Sequence, residues 1–296
     1  MEQKPNDRRS VLKMVSSLLI FGTIGIFRRY IPFSSGFLAC VRGFLGGLFI
    51  LAFLRVARRN SGENLPPRVL PALIISGAMI GVNWMLLFEA YNHTTVAVAT
   101  LCYYMQPTIV MLLSPVFFRE RLTGKKAACA AVAIVGMVLV SGIVGDSGAG
   151  RGDFQGVLLG LGAAVFYSAV VIMNSRLRGI DAYRKTMIQM LSAGAVMIPY
   201  LLVSGTGSTE GLTVSSVALL AVVGIVHTGI AYVLYFGSMD GLRVQSVALL
   251  SYIDPVSALL FSALLLREPL SPLSILGAVM ILASAIVSEL PSGDLS

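Results

Sequence analysis

Long apolar segments alternate with short polar connectors along almost the whole chain. We place ten such segments at about 11–27, 33–54, 69–88, 94–118, 127–145, 156–175, 186–203, 214–236, 246–266 and 273–289. Segments 69–88 and 127–145 contain no charged residue, and about 20 apolar residues are enough for a helix to cross the hydrocarbon core of a bilayer. The two-residue alternation that is typical of a membrane β-barrel is missing. Because lipid offers the backbone no hydrogen bonds, the pattern predicts an all-α integral membrane protein with ten transmembrane helices.

Composition excludes several classes of protein. The chain has 296 residues, of which 56% are hydrophobic and 12% are charged, so it lacks the polar surface of a soluble enzyme, a disordered protein or a nucleic-acid-binding domain. The three cysteines, Cys40, Cys102 and Cys129, lie inside apolar segments at spacings that indicate neither a disulfide framework nor a zinc site. We therefore expect no nucleic-acid partner, no metal and no cofactor.

The basic residues are distributed unevenly between the two ends of the spans. The net charge is +8, and most of the 22 lysines and arginines fall at the N-terminus and in the connectors 55–68, 119–126 and 176–185. The connectors on the other side carry Arg28, Arg29, Arg151 and Arg267. Cytoplasmic connectors are enriched in lysine and arginine, so the distribution predicts a multi-pass protein of the cell (plasma or inner) membrane with both termini in the cytoplasm.

The second half of the chain repeats the first at a fixed offset of 148 residues. Residues 81–126 and 229–274 share 12 identities in 46 positions without a gap, including a Y-x-x-P motif and an R-E-x-L motif in each copy. Five spans separate the copies, and an odd number places them in opposite orientations. We therefore expect two inverted five-helix repeats, 1–148 with spans 1–5 and 149–296 with spans 6–10. Many secondary transporters are built this way, although duplication of a purely structural bundle would give the same pattern.

Gln106-Pro107 and Asp254-Pro255, each followed by an R-E-x-L motif, resemble the EamA-type transporters of the drug/metabolite transporter superfamily. Arg42, near the start of the second span, is also similar to that family. The resemblance covers nearly the whole chain. It implies a metabolite carrier, often an exporter, with a central cavity lined by spans 1, 3, 4, 6, 8 and 9. The tryptophans that are common in spans 1 and 6 of the family are absent, since the chain has one tryptophan, Trp84.

Two ionisable residues lie near the middle of predicted spans, where a charge is costly and therefore suggests a function. Asp254, whose repeat counterpart is the neutral Gln106, is a candidate to bind a substrate ammonium group or to carry a proton. Alternatively, it stabilises a helix that is broken at Pro255. Histidine titrates near neutral pH, so His227 is a candidate proton relay, or else a neutral packing residue. Pro107 and Pro255 each remove a backbone donor, and we expect a kink or hinge at both.

Other charges lie closer to the ends of the spans. Arg42 either holds the helices together, which we favour, or neutralises a substrate carboxylate. Glu89 and His93 end the third span and form either the outer mouth of a cavity or a solvated helix end. Glu120 and Glu268 belong to the two R-E-x-L motifs, and we interpret both as structural or gating charges.

Aromatic and amide side chains recur in several spans. Rings can stack on an aromatic or cationic substrate, although core packing or an interfacial belt is the usual role of any single one. The candidate substrate-binding residues, in addition to Asp254 and His227, are Asn83, Trp84, Tyr103, Gln106, Tyr167, Asn174, Tyr232, Tyr235 and Tyr252.

These features favour a secondary transporter, and not an enzyme, for small organic metabolites such as amino acids and aromatic or cationic amphipathic compounds. Membrane lipid surrounds it, and protons are a candidate coupling ion. An integral-membrane enzyme acting on lipid-like substrates is an alternative, but the sequence lacks a clustered catalytic set. The glycine-rich segment 145–152 lacks a phosphate-binding G-x-x-x-x-G-K-[ST] motif, which disfavours ATP-driven transport. A channel or a non-transporting membrane scaffold is the remaining alternative.

Overall fold

The structure is a computed structural model that describes residues 7–57, 69–118, 122–140, 151–177, 179–208, 212–239, 241–242 and 244–289. Within these ranges every regular element is a helix, which confirms the predicted all-α class. The elements are α1 (Arg8–Gly22), α2 (Ile24–Arg29), α3 (Ser35–Val56), α4 (Val69–His93), α5 (Val96–Tyr103), α6 (Gln106–Phe117), α7 (Gly124–Val140), α8 (Arg151–Arg176), α9 (Ala182–Ser204), α10 (Val214–Ala221), a π-helix (Val222–Ile230), α11 (Ala231–Met239), α12 (Val244–Ser251), α13 (Ile253–Leu265) and α14 (Pro272–Glu289).

Within the described ranges, seven helical stretches are long and apolar enough to cross a membrane. They are Arg8–Arg29, Ser35–Val56, Val69–His93, Val96–Phe117, Phe154–Arg176, Ala182–Ser204 and Val214–Met239. The shorter helices Ile253–Leu265 and Pro272–Ser288 are also apolar. A chain with this many apolar helices is a multi-pass membrane protein.

Two of the apolar segments contain a helix break just ahead of a proline. Tyr104 and Met105 separate α5 from α6, and Tyr252 separates α12 from α13. Pro107 and Pro255 have no N–H to donate to the carbonyl four residues earlier, so the preceding helix ends. Each proline then lies in the first turn of the next helix, where no intrahelical bond is lost. The 148-residue offset aligns the two breaks.

In two other apolar segments the α-helix is interrupted although no proline is present at that point. Thr23 separates α1 from α2, and its hydroxyl donates to the Ile20 carbonyl at 2.7 Å. The eighth segment contains the nine-residue π-helix Val222–Ile230. Such π-helical turns are rare and are often found at functional sites.

The helices pack in pairs drawn from the two halves of the chain. Helix α3 lies along α9, α4 along α8, α7 along α14, and α1 along α11. Glycines allow the closest approaches, since a Cβ on Gly43 would lie 2.5 Å from the backbone nitrogen of Gly194. A Cβ on Gly277 would lie 2.4 Å from the carbonyl oxygen of Gly136. Because lipid provides no hydrophobic drive for helices to associate, close packing of this kind supplies the stabilising contacts.

The largest buried cluster of apolar side chains lies where α3, α4, α8 and α9 meet the π-helix. It contains Leu38 of α3, Trp84 and Phe88 of α4, and Met190 of α9. A charged side chain at this level is enclosed by apolar groups, and its desolvation is costly unless other contacts compensate.

Candidate functional site

Arg42 lies two turns into α3 and is buried, with 5% of its surface exposed. Its guanidinium carbon is 3.9 Å from the centroid of the Trp84 ring and 5.6 Å from that of Phe88. Its Nε donates to Thr228 Oγ1 at 2.8 Å, and that hydroxyl donates to the Val223 carbonyl. Cation–π attraction and one hydrogen bond therefore hold the guanidinium in place.

Small residues bring the π-helix close enough for this hydrogen bond. A Cβ on Gly46 of α3 would lie 2.3 Å from Thr228 Cγ2. A Cβ on Gly224 of the π-helix would lie 2.5 Å from Leu45 Cβ. Any larger residue at either glycine would push the π-helix away from α3 and lengthen the contact with Arg42.

Asp254 lies in the first turn of α13 and accepts a hydrogen bond from the Tyr104 hydroxyl. Because Tyr104 lies in the break between α5 and α6, this bond joins the interrupted segments of the two halves. A negative side chain in the first turn is also stabilised by the helix dipole. Asp254 is half-buried and within electrostatic range of Arg42, so two opposite charges lie in the same region of the bundle.

The Tyr104 ring, whose hydroxyl donates to Asp254, belongs to a group of three tyrosines in contact. The ring centroids of Tyr103 and Tyr104 are 5.6 Å apart, and those of Tyr103 and Tyr167 are 5.5 Å apart. These separations are typical of attractive aromatic pairs. Tyr103 comes from α5 and Tyr167 from α8, so the rings bring two helices of different halves together.

A second aromatic group surrounds the start of α11. Tyr232 lies 5.1 Å from Phe21 of α1 and is stacked on Phe236 at 5.9 Å, while Tyr235 lies 6.3 Å from Phe21. Tyr232 packs against the same buried apolar cluster as Tyr103 and Tyr167, so the two aromatic groups belong to one region of the bundle. The residues that meet here are called the central site below: Arg42, Trp84, Tyr103, Tyr104, Tyr167, Tyr232 and Asp254.

His227 lies beside this site in the π-helix and is almost fully buried, with 2% of its surface exposed. Its Nε2 is 2.9 Å from Thr23 Oγ1, in the break between α1 and α2, and its Nδ1 is 3.3 Å from the Val222 carbonyl. Its ring packs edge-on against Phe27 at 4.7 Å. The histidine therefore connects the irregular points of the first and eighth apolar segments.

Some candidate residues take part in other contacts. The Asn83 amide donates to the Ala163 carbonyl at 2.6 Å and joins α4 to α8. Asn174 accepts from Gln189 at 2.8 Å, a contact between α8 and α9. The backbone carbonyl of Gln106 accepts from Ser168, and the half-buried Tyr252 forms the break between α12 and α13.

At one end of the bundle, Glu268 accepts several hydrogen bonds. Its Oε1 lies 2.8 Å from Arg29 Nη2, and its Oε2 accepts from the backbone N–H of Val96 at 2.8 Å and from the Ser262 hydroxyl. Arg29 also donates to the Thr94 carbonyl at 2.9 Å. One carboxylate thus joins the end of α2, the start of α5 and the end of α13.

Glu89 occupies the neighbouring part of the same end. Its Oε2 accepts from Ser35 at 2.7 Å, and Ser35 in turn accepts from Arg28 at 3.2 Å. His93 lies 3.3 Å from Glu89 Oε1, one helical turn away. The group is called the ion-paired end below, and it consists of Arg28, Arg29, Ser35, Glu89, His93, Val96, Ser262 and Glu268. Glu120, the repeat counterpart of Glu268, lies outside the described residues.

Sequence reasoning missed the hydrogen-bond partners of the buried polar groups. Tyr104 could have been identified as a candidate, because its Y-x-x-P motif recurs at Tyr252 in the second half. Nothing in the sequence distinguishes Thr228 or Thr23, since single threonines are common in apolar helices.

The central site contains one guanidinium, one carboxylate, four phenols and one indole. Among the described residues, no group of three or more His, Cys, Asp or Glu side chains could hold a metal ion. A few polar groups among rings are typical of a site for a small organic molecule with both charged and apolar parts.

The EamA-like transporter family model matches the chain twice, at residues 8–142 and 154–289. A protein of Bacillus subtilis (strain 168) named "Uncharacterized transporter YxxF" is 27% identical over 274 residues, which cover 93% of this chain and 87% of that protein. A protein of Archaeoglobus fulgidus named "Uncharacterized transporter" is 25% identical over 276 residues, which cover 93% of this chain and 94% of that protein. Protein PecM of Dickeya dadantii (strain 3937) is 25% identical over 232 residues, 77% of each chain.

A protein of known crystal structure has a similar fold. Its TM-score with this chain is 0.66, and the match covers 95% of this chain and 98% of that one. The two sequences are 21% identical, so the likeness concerns the fold alone.

Proposed function

We propose that this chain, which belongs to the EamA-like transporter family, is a secondary transporter that exports small organic metabolites by alternating access. Family membership makes it a membrane transporter of the drug/metabolite transporter superfamily. The proposal goes further by locating the substrate at the central site and by giving the two halves opposite movements around it. In this mechanism the site faces each side of the membrane in turn.

The observation that carries the proposal is the meeting of both halves at Asp254. Its carboxylate accepts from Tyr104 across two helix breaks, and the Tyr104 ring contacts Tyr103, which in turn contacts Tyr167. Broken helices near the bilayer midplane commonly form the substrate site of transporters with repeated halves. Asp254 would bind an ammonium group and the rings would cover the apolar part, which suits amino acids and aromatic or cationic amphipathic compounds.

The proposal includes ten spans in two inverted repeats, divided near residue 148. The family model matches each half once, which supports this division. The helix pairs support it as well. In two repeats of five spans, span 3 corresponds to span 8, and span 1 corresponds to span 6. The contact of span 3 with span 6 (α4–α8) is therefore matched by the equivalent contact of span 8 with span 1 (α11–α1). The pairs α3–α9 and α7–α14 join equivalent spans.

The proposed orientation places both termini in the cytoplasm of the cell and the ion-paired end outside. The positive-inside rule assigns one set of connectors and helix ends to the outer side. These include the positions of Arg29, Glu89 and Glu268. Their meeting at one end of the bundle supports the assignment. The salt bridge between Arg29 and Glu268 would then stabilise the outer end of the bundle.

Protons are the coupling ion that we propose, with His227 as one site. A neutral imidazole has one N–H, so it cannot donate to Val222 and to Thr23 together. Thr23 already donates its only proton to Ile20. A doubly protonated ring would donate to both partners and leave the Thr23–Ile20 bond intact. Proton binding would therefore strengthen the contact between the first and eighth segments.

Counterflow in proteoliposomes tests the transport function. Vesicles are loaded with an unlabelled member of a panel of amino acids, amines and aromatic compounds, and uptake of the labelled compound is followed. We expect transient accumulation of at least one compound. Binding without accumulation would indicate a scaffold or an enzyme, and flux far above carrier turnover would indicate a channel.

A further inference from the structure

Arg42 is a buried cation without an anionic partner in the described part of the chain. Among the described residues Arg29 pairs with Glu268, and His93 contacts Glu89. The carboxylate within electrostatic range, Asp254, has Tyr104 as its recorded hydrogen-bond partner. A buried charge whose partner is missing strongly destabilises a fold. A purely structural role therefore explains Arg42 poorly.

The geometry leaves one edge of the guanidinium available. Trp84 covers a face of the group, and Thr228 occupies Nε. The two terminal nitrogens have no recorded acceptor among the described residues. In that part of the chain, Arg28 Nε and Asn83 Oδ1 are the side-chain atoms that are both fully buried and without a hydrogen-bond partner. The terminal nitrogens of Arg42 are not among them, so they are not completely sealed by the protein.

Such an edge is a fork of N–H donors that matches the two oxygens of a carboxylate. In the described part of the chain, the titratable groups that interact electrostatically with Arg42 include Tyr232, Tyr103, Tyr91, Asp254 and His227, with no lysine or second arginine among them. One guanidinium is enough for a carboxylate, whereas a doubly charged phosphate generally needs several basic groups. We infer that Arg42, held in place by Trp84 and Thr228, binds the carboxylate group of the transported solute. The inference rests on the proposed transport function and narrows its substrate class.

The chain provides its own probe, because Trp84 is its only tryptophan and lies against Arg42. The purified protein is titrated with 3-phenylpropanoate and with hexanoate, each paired with its own uncharged amide, and with 3-phenylpropylamine, while Trp84 emission is recorded. We expect a saturable change in emission with at least one of the two carboxylates and none with its amide. This comparison uses the wild-type protein and does not depend on how any variant folds.

Two variants assign the effect to Arg42. The Arg42→Gln variant removes the charge, and we expect its apparent affinity for the carboxylate to fall about tenfold or more, since hydrogen bonds to charged groups contribute on the order of 1.5–3 kcal/mol. The Arg42→Lys variant keeps the charge without the fork, and we expect an intermediate loss. Circular dichroism of both variants verifies that they are folded.

The outcomes separate this inference from the proposed function. Equal responses to carboxylate and amide, a response to the amine alone, no response at all, or unchanged affinity in a folded Arg42→Gln variant would each overturn the carboxylate site, whatever the flux assays show. If carboxylates bind as expected and no panel compound is transported, the carboxylate site stands and the transport function fails.

Discussion

The ion-paired end and the central site hold charged side chains in opposite ways. At the ion-paired end, Glu268 accepts from Arg29, from the Val96 backbone and from Ser262. At the central site, Arg42 contacts a ring and a hydroxyl, and Asp254 contacts a phenol. Both regions lie within or at the ends of apolar helices, so the difference lies in how each charge is compensated.

We expect this difference to decide whether a substitution affects the stability of the fold or the binding of substrate. A paired and hydrogen-bonded charge stabilises the fold, because removing one partner leaves the other unsatisfied. A buried charge without a counter-ion costs free energy in the folded state. Its presence is explained if a ligand completes its contacts. Substitutions at the ion-paired end should therefore mainly lower stability, and substitutions at the central site should mainly lower binding and transport.

The largest effect is expected for Asp254→Asn, which removes the proposed ammonium-binding group while keeping the shape of the side chain. We expect counterflow to fall tenfold or more, which corresponds to a loss of at least about 1.4 kcal/mol in substrate binding. Membrane insertion and the melting temperature should stay close to those of the wild type. Flux and thermal unfolding are measured on the same preparation. Wild-type counterflow in this variant would remove Asp254 from the mechanism.

Glu268→Gln should have the next largest effect, and on stability. The variant loses the ion pair with Arg29 and weakens the contacts to Val96 and Ser262. Hydrogen bonds to charged groups contribute about 1.5–3 kcal/mol, so we expect a loss of about 2 kcal/mol in the free energy of unfolding. Arg29→Gln is the matched control and should lose less, because Glu268 keeps its other donors. Unchanged unfolding of both variants would contradict the stabilising role.

His227→Gln tests the proton-binding contact between the two regions of irregular helix. A glutamine can hydrogen-bond to Thr23 but cannot be protonated, so we expect transport that varies less with pH than in the wild type. Thr23→Val removes the partner hydroxyl and serves as the comparison. The measurement is counterflow over a pH series. A wild-type profile in His227→Gln would exclude this residue as a proton site.

Tyr104→Phe should have the smallest effect. It deletes the hydroxyl that donates to Asp254 and leaves the ring and its contact with Tyr103 in place. One such hydrogen bond contributes about 1 kcal/mol, so its loss should lower the apparent substrate affinity about fivefold or less. A complete loss of transport would indicate that the phenol itself takes part in substrate or proton binding.

Particular residues show how far the sequence could predict this molecule. The all-α class followed from long uncharged segments without the two-residue alternation of a β-barrel, since only helices and closed barrels can span lipid. Y-x-x-P pointed to both helix breaks, because proline acts on the carbonyl four residues earlier. The contact of Arg42 with Trp84 could not be predicted, since it depends on how α3 and α4 rotate about their axes. Asn174 shares a helix with Tyr167, yet it contacts Gln189.

The most direct test of the account compares counterflow in Asp254→Asn with counterflow in Glu268→Gln, in proteoliposomes that contain equal amounts of folded protein. We predict that Asp254→Asn loses exchange tenfold or more, while Glu268→Gln retains exchange within about threefold of wild type at a temperature where it is folded. The reverse order, or equal loss in both variants, would contradict the assignment of transport to the central site.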